Sequence, residues 1–238
     1  MKRLVNRIQW QDPRNVLRSP MTFAVVADLH NQSCEELYPE LRKADMILIV
    51  GDLINRHKHI EQTEAKRFLR DAVAMKPVLY AIGNHERKFY QAEAWRTLME
   101  ESGAEILDNR ILRLRDDLVV GGLSSQHRPV DAQIVDRLAR ESGFRLLLCH
   151  HPEYYPKYVQ GKGVDLTLAG HAHGGQVRLG NVGLYAPNQW FFPKFTSGFY
   201  VQKRLLVSRG MSNHAIVPRI HNPCELILLT LLPGNPDR

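Results

Sequence analysis

Five short apolar runs in this chain each end at a segment that carries aspartate, asparagine or histidine. Unbroken apolar runs of this length are typical of strands that are covered on both faces of a sheet. Ligands of open α/β sheets bind at the carboxyl ends of the strands, so we expect the five polar segments to meet at one edge. They occupy residues 28–30, 51–52, 83–86, 150–152 and 170–175.

The first half of the chain alternates between strand and helix patterns. The predicted strands are 23–27, 46–50 and 77–82. The predicted helices are 35–44, 60–75 and 89–102. This alternation is typical of βαβ units with parallel strands.

The second half begins with a hairpin and becomes rich in strands. We predict a hairpin of 111–114 with 118–123, a helix at 130–142, and strands at 146–149, 166–169, 176–179, 182–185, 198–201, 204–208 and 225–231. Two mixed sheets packed face to face, with helices outside, account for both halves. The expected fold is therefore an α/β four-layer αββα sandwich. We expect an irregular or partly strand-like lead-in at 1–20, one domain at 21–232 and a tail at 233–238.

Composition and charge constrain the expected partners and cellular compartment of the protein. The 238 residues carry a net charge of +7 that is spread along the chain, which favours a solvated basic surface over attraction to anionic partners such as nucleic acid. Three cysteines without a CxxC pair fit a reducing compartment. No leader and no stretch of ~18–20 apolar residues is visible, so we expect no transmembrane segment and a cytoplasmic location.

The polar segments contain the donors of a metal site. If 28–30 and 171–173 are extended, residues two apart point the same way and can hold one ion. A carboxylate from a neighbouring strand could bridge two ions. The candidate ligands are Asp28, His30, Asp52, Asn84, His150, His171 and His173.

This set of nitrogen and oxygen donors without thiolate suits Mn, Fe, Zn, Co or Ni. Two such ions ~3.5–4 Å apart lower the pKa of a bridging water and clamp phosphate oxygens. We therefore expect phosphoester hydrolysis by in-line attack of a metal-bound hydroxide. His85, next to Asn84, is placed to protonate the leaving oxygen. The expected catalytic residues are His85, Asp52 and Asn84.

The ordered series DxH, GD, GNHE, HHP and GHAHGGQ resembles the calcineurin-like metallophosphoesterases. The later segments 197–200 and 206–210 resemble a bacterial branch that includes YkuE- and YaeI-type phosphoesterases and some UDP-2,3-diacylglucosamine pyrophosphatases. The resemblance implies that Asp52 bridges two metals and that His85 is the catalytic histidine. It assigns Asp28, His30 and His173 to one metal, and Asn84, His150 and His171 to the other.

Several side chains near these motifs have two interpretations. The aromatic stretch at 190–195 is either a lid packed on the sandwich or an apolar lip for a lipid tail, a base or a membrane surface. His151 is expected to support its neighbours, His57 and His59 to lie in a solvated loop, and His214 and His221 at the surface. For His127 and Arg128, a position at the rim of the site and a position elsewhere both stay open. For Arg209, contact with phosphate and support of the fold both stay open.

The sequence thus predicts a dinuclear-metal phosphodiesterase or phosphomonoesterase. Two enzymatic alternatives are a pyrophosphatase acting on a nucleotide-linked lipid such as UDP-diacylglucosamine, and a nuclease. A non-catalytic metal-binding scaffold is the alternative outside enzymes. It is disfavoured because no ligand position is missing.

Overall fold

Two six-stranded sheets packed face to face form the centre of the computed structural model, which describes residues 3–57, 62–89, 92–125, 130–213 and 217–234. The first sheet contains, in spatial order, β1 (Arg3–Gln11), β16 (Cys224–Leu232), β2 (Met21–Val26), β3 (Met46–Val50), β4 (Val78–Ala81) and β5 (Glu105–Ile106). Strands β2 to β5 are parallel, and β16 is antiparallel to β2.

The second sheet contains, in spatial order, β14 (Gly198–Tyr200), β15 (Leu205–Val207), β9 (Leu166–Ala169), β8 (Phe144–Cys149), β7 (Leu118–Leu123) and β6 (Ile111–Arg115). Its four central strands are parallel, and β6 and β14 are antiparallel edges. Two small hairpins lie between β9 and β14 in the chain. They are β10 (Arg178–Leu179) with β11 (Val182–Gly183), and β12 (Tyr185–Ala186) with β13 (Trp190–Phe191).

Helices cover the outer faces of both sheets. The helices are α1 (Tyr38–Leu41), α2 (Thr63–Met75), α3 (Asn84–Arg87), α4 (Ala92–Glu101) and α5 (Gln133–Arg140). The exception is α3, a single turn that follows β4 at the end of that strand. Phe68 and Leu69 of α2 pack on the first sheet, and Leu138 of α5 packs on the second. The architecture is the predicted αββα sandwich.

Each central strand is buried on both faces, which explains its unbroken apolar run. In β2, Phe23 and Val25 face the core between the sheets, whereas Ala24 and Val26 face the helices. Side chains alternate across a strand, so burial of both faces requires apolar residues at successive positions. Cys34, Cys149 and Cys224 are all buried, and none of them forms a disulfide bond within the described residues.

Three expectations about elements need correction. Residues Arg3–Gln11 of the lead-in form a full strand, which pairs with β16 over nine residues. The helix expected at 35–44 is a 3₁₀ turn followed by the single turn of α1, because Pro39 lacks the N–H that continuation would need. The strands expected at 176–179 and 182–185 shrink to the two-residue strands of β10 to β12.

The division of the chain at residues 20 and 232 stays a prediction. Within the described ranges, no helix has the length and apolarity that crossing a membrane would require.

Candidate metal centre

The seven candidate ligands converge where strands of both sheets end. Asp28, Asp52 and Asn84 follow β2, β3 and β4 of the first sheet. His150 and His171 follow β8 and β9 of the second. The centre therefore lies at the carboxyl edge that the two sheets share, as expected for parallel strands.

One group of donors surrounds Asp28. Its Oδ1 lies 3.6 Å from His173 Nε2 and 3.8 Å from His30 Nε2. The two Nε2 atoms are 3.3 Å apart. All three side chains are buried, and they form a group able to hold a metal ion.

A second group surrounds Asp52. Its Oδ2 lies 3.1 Å from His150 Nε2, and His171 completes a group of three buried donors. Oδ2 also lies 4.0 Å from the Nε2 atoms of His30 and His85. Asp52 shares one group of donors with His30 and His85 and another with His150 and His171, which is the position that a bridging ligand requires. Asp28 Oδ1 also lies 3.9 Å from His150 Nε2.

Two buried atoms fit the presence of a metal. Asn84 Oδ1 and His150 Nε2 have no hydrogen-bond partner, and buried polar atoms are normally paired. His150 Nδ1 lies 2.7 Å from Val50 O, so Nδ1 donates and the Nε2 lone pair is left for an ion. A metal ion bound here would draw on both His150 Nε2 and Asp52 Oδ2, which lie 3.1 Å apart.

The local backbone differs from the extended geometry expected for 28–30 and 171–173. Asp28, His30, Asp52, His171 and His173 all have left-handed backbones, with φ between 47° and 67°. Non-glycine residues rarely adopt this conformation, and it costs of order 1–3 kcal/mol where it occurs. The side chains converge because tight turns aim them inward, and alternation along a strand is not the cause.

Close backbone packing at the centre requires glycine at position 51. Gly51 has φ of 84°, and a Cβ there would lie 2.7 Å from both Gly83 Cα and His150 Nδ1. Glycine accepts this φ without cost and leaves room for the imidazole.

Burial keeps two of the imidazoles neutral. The pKa of His171 is lowered well below its usual value by burial and by His151 and His150 nearby. Burial, reinforced by Arg219, lowers the pKa of His173 to about 3. A neutral imidazole is the form that binds a metal.

The aspartates respond to burial in opposite ways. Burial raises the pKa of Asp28 to about 7. Burial also acts to raise the pKa of Asp52, but the surrounding His150, His85 and His30 hold it well below its usual range. Although burial opposes it, Asp52 in turn raises the pKa of His150 to about 10. Without metal, Asp52 and His150 are therefore an ion pair.

Glu86 is a supporting residue that the sequence analysis quoted within GNHE without giving it a role. Its buried carboxylate accepts hydrogen bonds from the backbone N–H groups of Asp52 (2.9 Å), Leu53 (2.8 Å) and Gly83 (2.9 Å), and from Tyr80 OH (2.8 Å). It ties the loops after β3 and β4 together. The available clue was the position of Glu86 in the polar segment that directly follows the apolar run at 77–82.

Two further supporting residues come from the end of the chain. Arg219 Nη2 donates to the carbonyls of Arg209 (2.7 Å) and Ser212 (2.6 Å) and lies 3.2 Å from His173 Nδ1. Asn222 Nδ2 donates to His173 O at 2.7 Å. No local pattern indicates these contacts, because only the fold brings residues 219–222 to the centre.

His85 belongs to a third group of three buried donors, with His30 and Asp52, and lines the cleft above the centre. The backbone N–H of Arg56 donates to its Nδ1 at 3.0 Å, so the neutral ring carries its proton on Nε2. That nitrogen is the one near Asp52 Oδ2.

The cleft over the centre has a volume of about 1050 Å³. Cationic side chains line it at Arg56, Lys88 and Lys157. Tyr154, Tyr158 and Trp190 supply aromatic surface to the same cleft. Such a cleft suits an anionic substrate with an apolar or aromatic part.

His151 and Arg209 also have defined surroundings. His151 Nδ1 lies 3.0 Å from Glu153 Oε1, and its ring stacks on Tyr154 and lies beside His171, which agrees with a supporting role. The backbone N–H of Arg209 donates to Glu225. His221 is exposed, as expected. His59, His127, Arg128 and His214 lie outside the described residues.

Comparisons with known proteins point to one family. A family model described as calcineurin-like phosphoesterase matches residues 21–175, which is more than half of the chain. The chain is 30% identical over 219 residues to the uncharacterized metallophosphoesterase Cj0846 of Campylobacter jejuni, covering 86% of this chain and 55% of that protein.

Two Bacillus subtilis proteins are also similar. The uncharacterized metallophosphoesterase YkuE is 27% identical over 209 residues, covering 81% of this chain and 70% of YkuE. The uncharacterized protein YpbG is 23% identical over 224 residues, covering 90% of this chain and 82% of YpbG. With the clustered His and Asp donors and the αββα architecture, these matches show that the chain belongs to the calcineurin-like phosphoesterase family and is a metal-dependent phosphoesterase.

Proposed function

We propose that this protein is a dinuclear-metal phosphodiesterase. The observation that carries the proposal is the position of Asp52, whose carboxylate is within 4.0 Å of the Nε2 atoms of His30 and His150 in two adjoining donor groups. Asp28, His30, Asp52 and His173 would hold one ion. Asp52, Asn84, His150 and His171 would hold the other.

When bound, two divalent ions would supply a water of lowered pKa and positive charge for the phosphate oxygens. The protein's own contribution is to fix the donors. Val50 O orients His150, Glu86 orients the loop of Asp52, and the turns at 28–30 and 171–173 aim the remaining donors inward.

His85 is the proposed source of the leaving group's proton. The hydrogen bond from Arg56 N–H to Nδ1 supports this role because it places the ring's proton on Nε2, toward the cleft. Donation from that atom stabilises the charge that develops on the leaving oxygen.

The cleft favours a diester or an activated anhydride over a small monoester. Arg56, Lys88 and Lys157 can contact the charged part of a substrate, and the aromatic side chains offer surface for a second substituent. Among the alternative functions, this cleft supports a pyrophosphatase that acts on a nucleotide-linked lipid. Mn²⁺ as the native metal and a cytoplasmic location both stay predictions.

Elemental analysis and a pair of chromogenic substrates test the proposal. We expect about two metal ions per chain, and faster turnover of bis-p-nitrophenyl phosphate than of p-nitrophenyl phosphate with added Mn²⁺. Asp52→Asn should lose both metal and turnover, because Asp52 is shared by the two groups. Dominant monoesterase activity would make the protein a phosphatase. Absence of metal and turnover in the parent protein, matched by the variant, would leave a non-catalytic scaffold that has kept the fold.

A further inference from the structure

Exposed apolar side chains are concentrated in one part of the chain. Among the described residues, seven of the eight exposed large hydrophobic side chains fall between positions 179 and 220. The eighth is Leu4 on the edge strand β1. The seven are Leu179, Val182, Trp190, Phe191, Phe192, Val217 and Ile220.

The most exposed of these lie at the end of the hairpin formed by β12 and β13. Trp190 is 69% exposed, and Phe191 and Phe192 are each 75% exposed. Trp190 and Phe192 have left-handed backbones, with φ of 59° and 53°. Bulky residues rarely adopt that conformation, so the backbone is strained at two of the three exposed aromatic residues.

The strained segment is held at both of its ends. Gln189 Nε2 donates to Phe195 O at 2.8 Å, and Phe195 N–H donates back to Gln189 Oε1 at 3.0 Å. The Phe195 ring is buried against Tyr200, with centroids 5.2 Å apart. The stretch at 190–195 therefore has an exposed part, residues 190–192, and a buried part at Phe195. The buried part fixes the position of the exposed part.

The other exposed apolar residues belong to segments that adjoin the tip. Phe192 N–H donates to Leu184 O at 3.0 Å, which joins the tip to the strand after Val182. Ile220 pairs with Val177 beside β10. Backbone hydrogen bonds thus link the three segments that carry these residues. We call the most exposed residues, Trp190, Phe191 and Phe192, the aromatic tip.

Cationic side chains lie on the chain next to the aromatic tip and in the cleft that Trp190 lines. Lys194 is exposed next to it in sequence. Trp190 also lines the cleft that carries Arg56, Lys88 and Lys157. The whole chain has a net charge of +7. An apolar tip with cations beside it is complementary to a surface that carries negative charge on its outer layer and has an apolar layer beneath.

We propose that the aromatic tip docks on an anionic phospholipid bilayer, with Trp190, Phe191 and Phe192 in the headgroup region and the cleft mouth beside the headgroups. Tryptophan is favoured at this depth because its ring is amphipathic. Apolar burial combined with basic residues is what holds a peripheral protein on an anionic membrane. This docking does not depend on the proposed hydrolysis.

Vesicle binding of the metal-loaded protein tests the docking. Trp10 and Trp95 are buried, so an emission change on vesicle addition reports Trp190. We expect a blue shift and sedimentation with vesicles of phosphatidylcholine and phosphatidylglycerol, and much weaker binding to phosphatidylcholine alone. Phe191→Ser combined with Phe192→Ser should weaken partitioning by at least about tenfold, since two large side chains lose their burial in lipid.

Leu4→Ser is the matched control, because it removes an exposed apolar side chain from β1, away from the tip. It should bind vesicles as the parent does. Melting temperature and metal content verify that the double variant is folded.

Three results would overturn the docking. One is no vesicle binding by the parent protein, and another is equal binding by the double variant, which would reduce the effect to charge alone. The third is that the parent protein self-associates and does not bind vesicles, and that the double variant no longer self-associates. That result would make the aromatic tip a contact with a second copy of this chain. Turnover of the soluble diester is measured separately, so a protein that binds vesicles but lacks activity would overturn only the hydrolysis.

Discussion

The acceptor capacity of one buried carboxylate controls the geometry of the metal centre. Glu86 accepts hydrogen bonds from four backbone N–H groups and from the hydroxyl of Tyr80, and one of those N–H groups belongs to Asp52. Asp52 in turn accepts the backbone N–H of His85 at 2.8 Å. The proposed bridging ligand and the proposed proton donor are therefore linked through single hydrogen bonds.

Glu86→Gln should destabilise the protein and weaken its metal binding. The amide has one acceptor oxygen and places an NH₂ group against buried N–H donors, which we expect to cost about 2–4 kcal/mol. Denaturant unfolding and metal titration measure both effects. Glu100→Gln, at an exposed position of α4, is the control and should change neither. An unchanged metal affinity in Glu86→Gln would remove its positioning role.

His85→Ala should keep its metal and lose most of its turnover. His85 is placed here as a proton donor outside the ligand set, so its removal should lower kcat by about 10²–10⁴-fold. Elemental analysis and steady-state kinetics on a soluble diester measure the two quantities. His221→Ala, at the exposed surface, should match the parent. Loss of metal from His85→Ala would make His85 a ligand and contradict the assignment.

At the scale of elements, the centre depends on how each strand ends. The loops after β2, β3 and β9 turn at once through left-handed residues, and this brings donors from two sheets within 4 Å of one another. The turn after β3 also needs space, because Gly51 packs against Gly83 and His150.

A comparison of Gly51→Ala with Gly161→Ala separates the cost of backbone strain from the cost of steric overlap. Both glycines have φ near 80°, but a Cβ at Gly161 meets no atom within 4 Å. Gly161→Ala should cost about 1–2 kcal/mol, from strain alone. Gly51→Ala should cost more and should lose metal, because the new methyl group displaces His150. Denaturant unfolding and metal stoichiometry compare the two variants, and equal effects would contradict the packing argument.

At the scale of the whole molecule, metal binding should couple to protonation. In the metal-free protein, burial raises the pKa of Asp28 to about 7, and Asp52 raises the pKa of His150 to about 10. Both protons must leave when metal binds. Metal affinity should therefore rise with pH, by about tenfold per unit for each proton released, and more steeply below pH 7 than above it.

Metal titrations by calorimetry between pH 5 and pH 9 measure this dependence. Asp28→Asn should bind metal more weakly and lose the steeper part of the profile below pH 7, because its side chain no longer takes up a proton. A parent profile that is flat over this range would contradict the coupling.

Metal should also stabilise the folded chain. The donors come from both sheets, so an intact site exists only when the sheets are packed. Free metal at a hundredfold excess over its Kd should add about 2.7 kcal/mol to the free energy of unfolding. Thermal melts with metal and with chelator measure the difference. His221→Ala should show the same shift as the parent, whereas Asp52→Asn should show little.

The sequence by itself determined the candidate donors and the order of the central strands along the chain. Runs such as Met46–Val50 are apolar at every position because both faces are buried, and this local property is visible without a structure. The same holds for the polar segments that follow them. Fold class, family and the candidate ligands were therefore predictable.

Tertiary structure alone decided which distant residues meet. Strand β1 carries many polar residues and becomes a strand because it pairs with β16 more than 200 residues away. Arg219 and Asn222 reach His173 only through the fold, and the left-handed turns at Asp28 and His171 are imposed by their surroundings. Short-range periodicity records how each segment is buried, but contacts between remote segments depend on the free energy of the whole packed molecule.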